Sequence, residues 1–90
     1  MVNLALDRIS QKHYDQALEL LTGVVSIRAD FLPAANALGT CYFYKGEYQQ
    51  AKRHFLTAIE LNPACIEPYF NLGQVLLQEQ KADQEIHGIL

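Results

Sequence analysis

The chain repeats itself at a fixed interval. The two clearest series are the leucines Leu4, Leu38 and Leu72, and the small residues that follow them, Ala5, Gly39 and Gly73. A unit of roughly 34 residues is one supersecondary element that cannot bury its own apolar face, so successive units must stack on one another. The chain holds about 2.6 such units, and we therefore expect a stack of similar units.

Composition indicates one globular domain over residues 1–90, since half of the residues are apolar and 19% are charged. No apolar stretch approaches the roughly 18 residues needed to cross a bilayer. The first ten residues lack the basic start and continuous apolar run of a secretory signal. We expect a cytoplasmic chain without membrane insertion.

The amount and distribution of charge argue against a nucleic-acid partner. The net charge is -3 and the basic residues are scattered, so no continuous basic surface for a phosphate backbone is predicted. The one basic cluster, Lys52 to His54, is typical of a solvated helix face. Cys41 and Cys65 are far apart in the sequence and have no second pair, which predicts neither a disulfide framework nor a zinc site.

The residue types that carry out catalysis are not grouped in this sequence. No two of His13, His54 and His87 lie three or four positions apart, the spacing that two metal ligands on one helix need. The chain has no glycine-rich phosphate loop, and no serine or cysteine has a histidine placed to activate it. We expect no enzyme, no cofactor and no metal.

The middle of the chain predicts a helical hairpin. Apolar and small residues recur at three- and four-residue steps from Pro33 to Tyr44 and again from Tyr48 to Ile59. Gly46 separates the two stripes and suits the left-handed conformation that ends a helix. Asn62 and Pro63 oppose continuation of the second stripe. Residues 32 to 62 therefore read as helix, tight turn, helix.

The same pattern divides the chain into units of about residues 1–31, 32–65 and 66–90. This predicts an all-α fold of six helices in three hairpins, the last of them a short helix from about Ala82 to Ile89. Lys12 and Gln80 stand where the middle unit has Gly46, so we expect those two turns to be less favourable. No segment alternates with period two over enough residues to form a strand.

Small residues predict where the paired helices cross. Gly39 on one helix, and Ala51 and Ala58 on the next, remove side-chain bulk and allow a close approach of the two axes. Leu38 and Phe55 then fill the remaining space, and burial of such a side chain is worth roughly 1.5 to 3 kcal/mol.

The middle unit resembles the tetratricopeptide repeat, whose signature places tryptophan, leucine-glycine and tyrosine before alanine, phenylalanine and proline. Only Ala35, in the tryptophan position, departs from it. In the third unit, Glu85 stands at the alanine position of the signature. In the first unit, Met1 stands at the tryptophan position and Ala29 at the proline position. The matching residues of the middle unit are Leu38, Gly39, Tyr42, Tyr48, Ala51, Phe55, Ala58 and Pro63.

The resemblance implies a right-handed α-solenoid of helix-turn-helix hairpins, whose first helices line a concave groove. It also implies a scaffold without catalysis that holds a peptide segment of another protein. Partners differ widely across the family, so the fold names none.

If the first helices face the groove, residues offset from the packing stripe point into it. Several of them are large and apolar where a solvated helix would carry lysine or glutamate, which favours a peptide with apolar anchors. The alternative is that the aromatic residues pack between adjacent first helices and expose little surface. The candidate peptide-binding residues are Asn36, Thr40, Phe43, Tyr44, Phe70, Gln74 and Leu77. Glu67, Gln78, Val2, Leu6 and Ile9 are expected on the same face.

One subclass of the family binds the acidic tails of heat-shock chaperones through a clamp of basic and amide side chains on three first helices. This chain has Val2 and Leu6 at the clamp positions of the first unit, and Glu67 where a lysine is expected. Glu67 would repel a carboxylate. We therefore do not expect a chaperone carboxylate-tail clamp.

The ends of the stack leave two alternatives open. A solenoid exposes an apolar seam at each end unless a polar capping repeat covers it, and the last residues include Ile86, Ile89 and Leu90. The chain is therefore either a fragment of a longer repeat scaffold or an assembly module that forms a homo-oligomer through its terminal helices.

Overall fold

The computed structural model describes the backbone of residues 2–89 and the side chains of residues 4–6, 8–9 and 11–81. Over this range the chain is all-helical, as predicted, and has five helices with no strand. They are α1 (Val2–Ser10), α2 (Tyr14–Ile27), α3 (Leu32–Tyr44), α4 (Tyr48–Leu61) and α5 (Glu67–Ile89).

The predicted hairpin over residues 32 to 62 is confirmed as α3 and α4. Gly46 has a φ of 80° in the turn, and the turn closes through Gly46 N to Phe43 O at 3.0 Å and Glu47 N to Tyr42 O at 2.9 Å. These bonds satisfy carbonyl groups at the end of α3. Helix α4 ends at Leu61, before Asn62 and Pro63, as expected.

The first hairpin repeats this turn without glycine. Lys12 N donates to Ile9 O at 2.9 Å and His13 N donates to Arg8 O at 2.8 Å. These two bonds are the equivalents, 34 residues earlier in the chain, of the two bonds in the turn between α3 and α4. Lys12 accordingly has a φ of 65°, the one positive φ outside glycine among the described residues. This φ supports the expectation of a less favourable turn at Lys12, because an L side chain is strained in this conformation.

The close contact predicted at Gly39 is present. Gly39 is buried, and a Cβ atom built on it would lie 2.5 Å from the ring of Phe55. Phe55 is itself buried, and with Ala51 and Val75 it forms a core between α3, α4 and α5. A second core joins α1, α2 and α3 around Ala5, Ala17, Leu21, Leu38 and Cys41. The hairpin contact therefore depends on the missing side chain at residue 39.

The predictions of a third hairpin and a sixth helix are wrong. Helix α5 runs unbroken for 23 residues through Gln80 and Ala82 to Ile89. No glycine or proline lies between residues 74 and 87 to end it, and glutamine, lysine and alanine favour helix. Glu85 also stands where Ala51 lies at the crossing of α3 and α4, so a returning helix would bring a charge to that crossing.

The helices form two layers. Each helix packs against the next along the chain, and α3 also contacts both α1 and α5. Helices α2 and α4 lie on the other side, and their described residues do not contact each other. The three first helices thus form a continuous layer that carries the candidate site.

One face of α5 lacks the cover that α3 has. A Cβ atom on Gly73 would meet nothing within 4 Å among the described residues, and Tyr69 and Leu76 on the same stripe are exposed. In the preceding unit Ala35 and Gly39 are the equivalents of Tyr69 and Gly73, and both are buried. The third unit therefore repeats the glycine of the second unit, but no described side chain packs against that glycine.

Candidate functional site

Two adjoining cavities lie along α3 and α5, and together they form what we call the α3–α5 groove. They share Thr40 and Asn71, so they are adjacent. The first has a volume of about 240 Å³ and is lined by Thr40, Phe43, Tyr44, Phe55, Phe70, Asn71 and Gln74. The second has a volume of about 370 Å³ and is lined by Leu6, Leu32, Pro33, Asn36, Ala37, Thr40, Glu67 and Asn71.

A buried amide connects the two walls of the groove. Asn36, on α3, is only 8% exposed. Its Nδ2 donates to Glu67 Oε1 at 3.1 Å, and its Oδ1 accepts from Asn71 Nδ2 at 3.0 Å. Both partners lie on α5, one helical turn apart. Since a buried amide needs partners for both of its ends, this network holds α5 at a fixed position beside α3.

The hydroxyl of Thr40 is turned back onto its own helix. Thr40 Oγ1 donates to the backbone oxygen of Asn36 at 3.1 Å. This bond uses the one hydroxyl proton, so toward the groove the side chain offers lone pairs and a methyl group.

Aromatic rings form one end of the groove. Tyr44 stacks on Tyr14 with the ring centroids 5.7 Å apart, and Phe43 lies 5.5 Å from the Tyr44 ring and 6.0 Å from that of Tyr48. Phe43 and Tyr44 are therefore held by neighbours from other helices. Phe70, on the opposite wall, is 64% exposed. Among the residues of the α5 wall, Phe70 therefore offers the most exposed apolar surface to a ligand.

The groove brings together six of the seven residues predicted from the sequence. Thr40, Phe43, Tyr44, Phe70 and Gln74 line the first cavity, and Asn36 lines the second. Leu77 lines neither, although its side chain is 48% exposed on α5. The groove therefore ends, on α5, before Leu77.

Some lining residues are absent from that candidate set. Asn71 lines both cavities and was missed, although it follows Glu67 by four residues and precedes Gln74 by three, a spacing that puts all three on one helix face. Ile9, expected to face the groove, is instead buried in the first core. Leu6 lines the second cavity as expected.

The described lining of the groove carries negative charge only. Within it, Glu67 is the one charged side chain of either cavity. Two lysines of the α3–α4 hairpin are paired with other acidic residues, since Lys45 Nζ lies 2.7 Å from Asp15 Oδ1 and Lys52 Nζ lies 2.9 Å from Glu79 Oε1. Among the described residues, Glu67 forms no ion pair.

Of the two cysteines in the described part of the chain, Cys41 is the buried one. Burial raises the pKa of the Cys41 thiol to about 11, against a smaller opposite effect of Lys45, so the thiolate is scarce at neutral pH. No group of three histidine, cysteine, aspartate or glutamate side chains in this range could hold a metal ion. No helix over the same residues is both long and apolar enough to cross a membrane.

Comparison with known proteins agrees with the repeat pattern. Residues 39–80 match the family model of the TPR repeat. A TPR repeat-containing protein of Schizosaccharomyces pombe is 35% identical over 72 residues, which are 80% of this chain. The matched region is 8% of that relative, so the chain spans a small part of its length. These matches confirm the resemblance seen in the middle unit, and the chain belongs to the tetratricopeptide repeat family.

Proposed function

We propose that this domain binds a peptide segment of another protein in the α3–α5 groove, with apolar anchor residues of the peptide packed against Phe43, Tyr44 and Phe70. Tetratricopeptide repeats generally mediate interactions between proteins, and the site and ligand class are our proposal. The observation that carries it is the pair of adjoining cavities between two first helices. The second cavity, of about 370 Å³, is within the size range of ligand sites, and the first, of about 240 Å³, adjoins it.

The proposed architecture is one right-handed α-solenoid domain over residues 1–90, with units at about 1–31, 32–65 and 66–90. The layers support it, because consecutive first helices contact each other whereas the described residues of α2 and α4 do not. A stack that is closer on one side bends toward that side, so the first-helix layer is the concave one. In this arrangement a peptide lies along the concave surface, and the domain acts as a scaffold without catalysis.

The surface of the groove supports a peptide with mixed chemistry. Phe70 and the rings of Phe43 and Tyr44 offer apolar area at one end. Apolar pockets supply affinity and fixed polar groups orient the bound chain. The groove therefore suits a short segment with one or two apolar anchors and hydrogen-bonding groups between them. The amide and hydroxyl groups available to it belong to Asn36, Thr40, Asn71 and Gln74.

Selection from a random peptide library displayed on phage tests this proposal. The strongest peptide would be synthesised with a fluorophore and titrated with the domain. Replacement of Phe70 by Glu should abolish binding, because a charge would replace the main apolar contact, and helicity by circular dichroism should be unchanged. The matched control is Leu56→Glu, since Leu56 is an exposed residue on α4 that lines neither groove cavity. Equal affinities of wild type and Phe70→Glu would reject the groove.

A second candidate function is self-association through the uncovered stripe of α5. The observation that favours it is the exposure of Tyr69, Gly73 and Leu76, whereas Gly39, the equivalent of Gly73 in the preceding unit, is covered by Phe55 of α4. Sedimentation equilibrium tests it, because a dimer should form at high concentration and be lost on Leu76→Glu. A wild-type monomer over the whole range would remove this candidate.

A further inference from the structure

We propose that the α3–α5 groove selects peptides with a basic residue, which binds at Glu67 and Asn71, about one to two positions from the apolar anchor at Phe70. This inference rests on the proposed function and adds to it the charge and spacing of the ligand. Three observations carry it: the charge of the groove, the direction of its hydrogen bonds and the spacing of Glu67 and Phe70 on α5.

The charge of the groove favours a cationic ligand. Glu67 is the one charged side chain in the described lining of the cavities, and no described residue neutralises it. Other acidic residues near the hairpins, such as Glu47 and Glu79, face Lys45 and Lys52. A positive side chain that reaches Glu67 therefore gains an attraction without displacing an existing partner. An acidic segment in the same position would be repelled.

The hydrogen bonds within the groove leave several acceptor atoms without a described donor. Glu67 Oε1 accepts from Asn36, which leaves Oε2 without a described partner. Asn71 donates through Nδ2 to Asn36, which leaves Oδ1 as an acceptor, and Thr40 has used its hydroxyl proton. A ligand rich in donors matches this set. The arginine guanidinium, with five donors in one plane and no acceptor, matches it best, and the lysine ammonium is the smaller alternative.

The distance between Glu67 and Phe70 sets the spacing in the peptide. These two residues are three positions apart on α5, a rise of about 4.5 Å at roughly 1.5 Å per residue. An extended peptide covers that length in about one to two residues. The basic side chain at Glu67 and the apolar anchor at Phe70 should therefore be about one to two positions apart in the bound segment.

The same phage selection tests the inference through sequence enrichment. Peptides selected on the wild-type domain should be enriched in arginine and lysine near an apolar residue, and those selected on Glu67→Gln should lose this enrichment. Glutamine keeps an oxygen that can accept from Asn36, so the change removes charge while the network is retained. Glu60→Gln on α4 is the matched control, because Glu60 is exposed and lines neither cavity.

Affinity measurements complete the test on one selected peptide. Replacement of its arginine by citrulline, or Glu67→Gln, should each weaken binding about threefold at low salt. The two changes together should cost little more than either alone, because they remove the same interaction. Fully additive losses, or enriched peptides without basic residues that still need Phe70, would overturn this inference and leave the proposed function standing. Selection of no Phe70-dependent peptide would overturn both.

Discussion

Gly39 and Gly73 occupy the same position of the repeat but have different surroundings. Gly39 lies directly against the ring of Phe55, and this ring has nowhere to move because it is buried between three helices. Gly73 faces open space in the described structure. A side chain is excluded at residue 39 by packing and is tolerated at residue 73.

Alanine at these two positions should therefore have opposite effects. Gly39→Ala should destabilise the domain by about 2 kcal/mol, the cost of overpacking a filled core. Gly73→Ala should stabilise it by up to about 1 kcal/mol, because alanine is the better helix former. Urea denaturation followed by circular dichroism measures both changes. Equal effects of the two substitutions would contradict the packing described at Phe55.

His54 is the residue that ties stability to mild acid. Its ring stacks on that of Tyr42 with the centroids 5.4 Å apart and an angle of 3° between the planes. Burial, and to a smaller degree the charge of Arg53, lowers the pKa of His54 below its ordinary value of 6.5. The folded protein therefore binds a proton at this site less readily than the unfolded chain does.

The sign of the pH dependence follows from this difference. As the pH falls below 6.5, the unfolded chain takes up the proton first, so stability present above that pH is lost as the pH drops toward the lower folded pKa. Thermal unfolding should show a lower midpoint at about pH 5.5 than at about pH 7.5. His54→Phe keeps an aromatic ring against Tyr42 and should reduce this difference. An unchanged difference in the variant would assign the pH dependence to other groups.

The sequence predicts which residues line the groove better than it predicts the hydrogen bonds that these residues form. Asn36 was predicted from its place on the helix, and it does line the groove. Its bonds to Glu67 and Asn71 were not predicted, because they depend on how far apart α3 and α5 lie. That distance is a property of packing, which the spacing of one helix does not contain.

At the scale of elements, the turns show how far the repeat determines structure. The two described turns use the same pair of backbone hydrogen bonds although one has Gly46 and the other Lys12. The third turn does not form, and α5 continues through Gln80. The number of helices was therefore wrong in the sequence prediction. In the first unit α1 packs on α2 although Lys12 has a positive φ, whereas in the third unit Glu85 stands at the position of the small alanine.

The strain at the first turn can be tested by exchange of its residue type. Lys12→Gly should raise the free energy of unfolding by up to about 1 kcal/mol, because glycine adopts a positive φ without steric cost. Gly46→Ala should lower it by about 1 kcal/mol for the converse reason. Urea midpoints measure both. A destabilised Lys12→Gly variant would show that the strain at this turn is not significant.

At the scale of the whole molecule, the stack is elongated. The radius of gyration is 13.7 Å, above the roughly 12 Å expected for a compact domain of this length. Each helix contacts its neighbours in the sequence, and α3 also contacts α1 and α5 of its own layer. The two walls of the groove, α3 and α5, therefore come from two different units. The all-helical class and the hairpin at residues 32 to 62 followed from periodicity alone. The groove could not be predicted from periodicity, because its cavities exist only where α3 and α5 meet.

The central claim is that a peptide binds between α3 and α5. Two-dimensional amide spectra of the labelled domain, recorded during titration with a selected peptide, test it most directly. We expect the largest shifts at residues 36–44 and 67–74, which form the two groove walls. Shifts concentrated on the outer helices α2 and α4, with the groove amides unmoved, would contradict it.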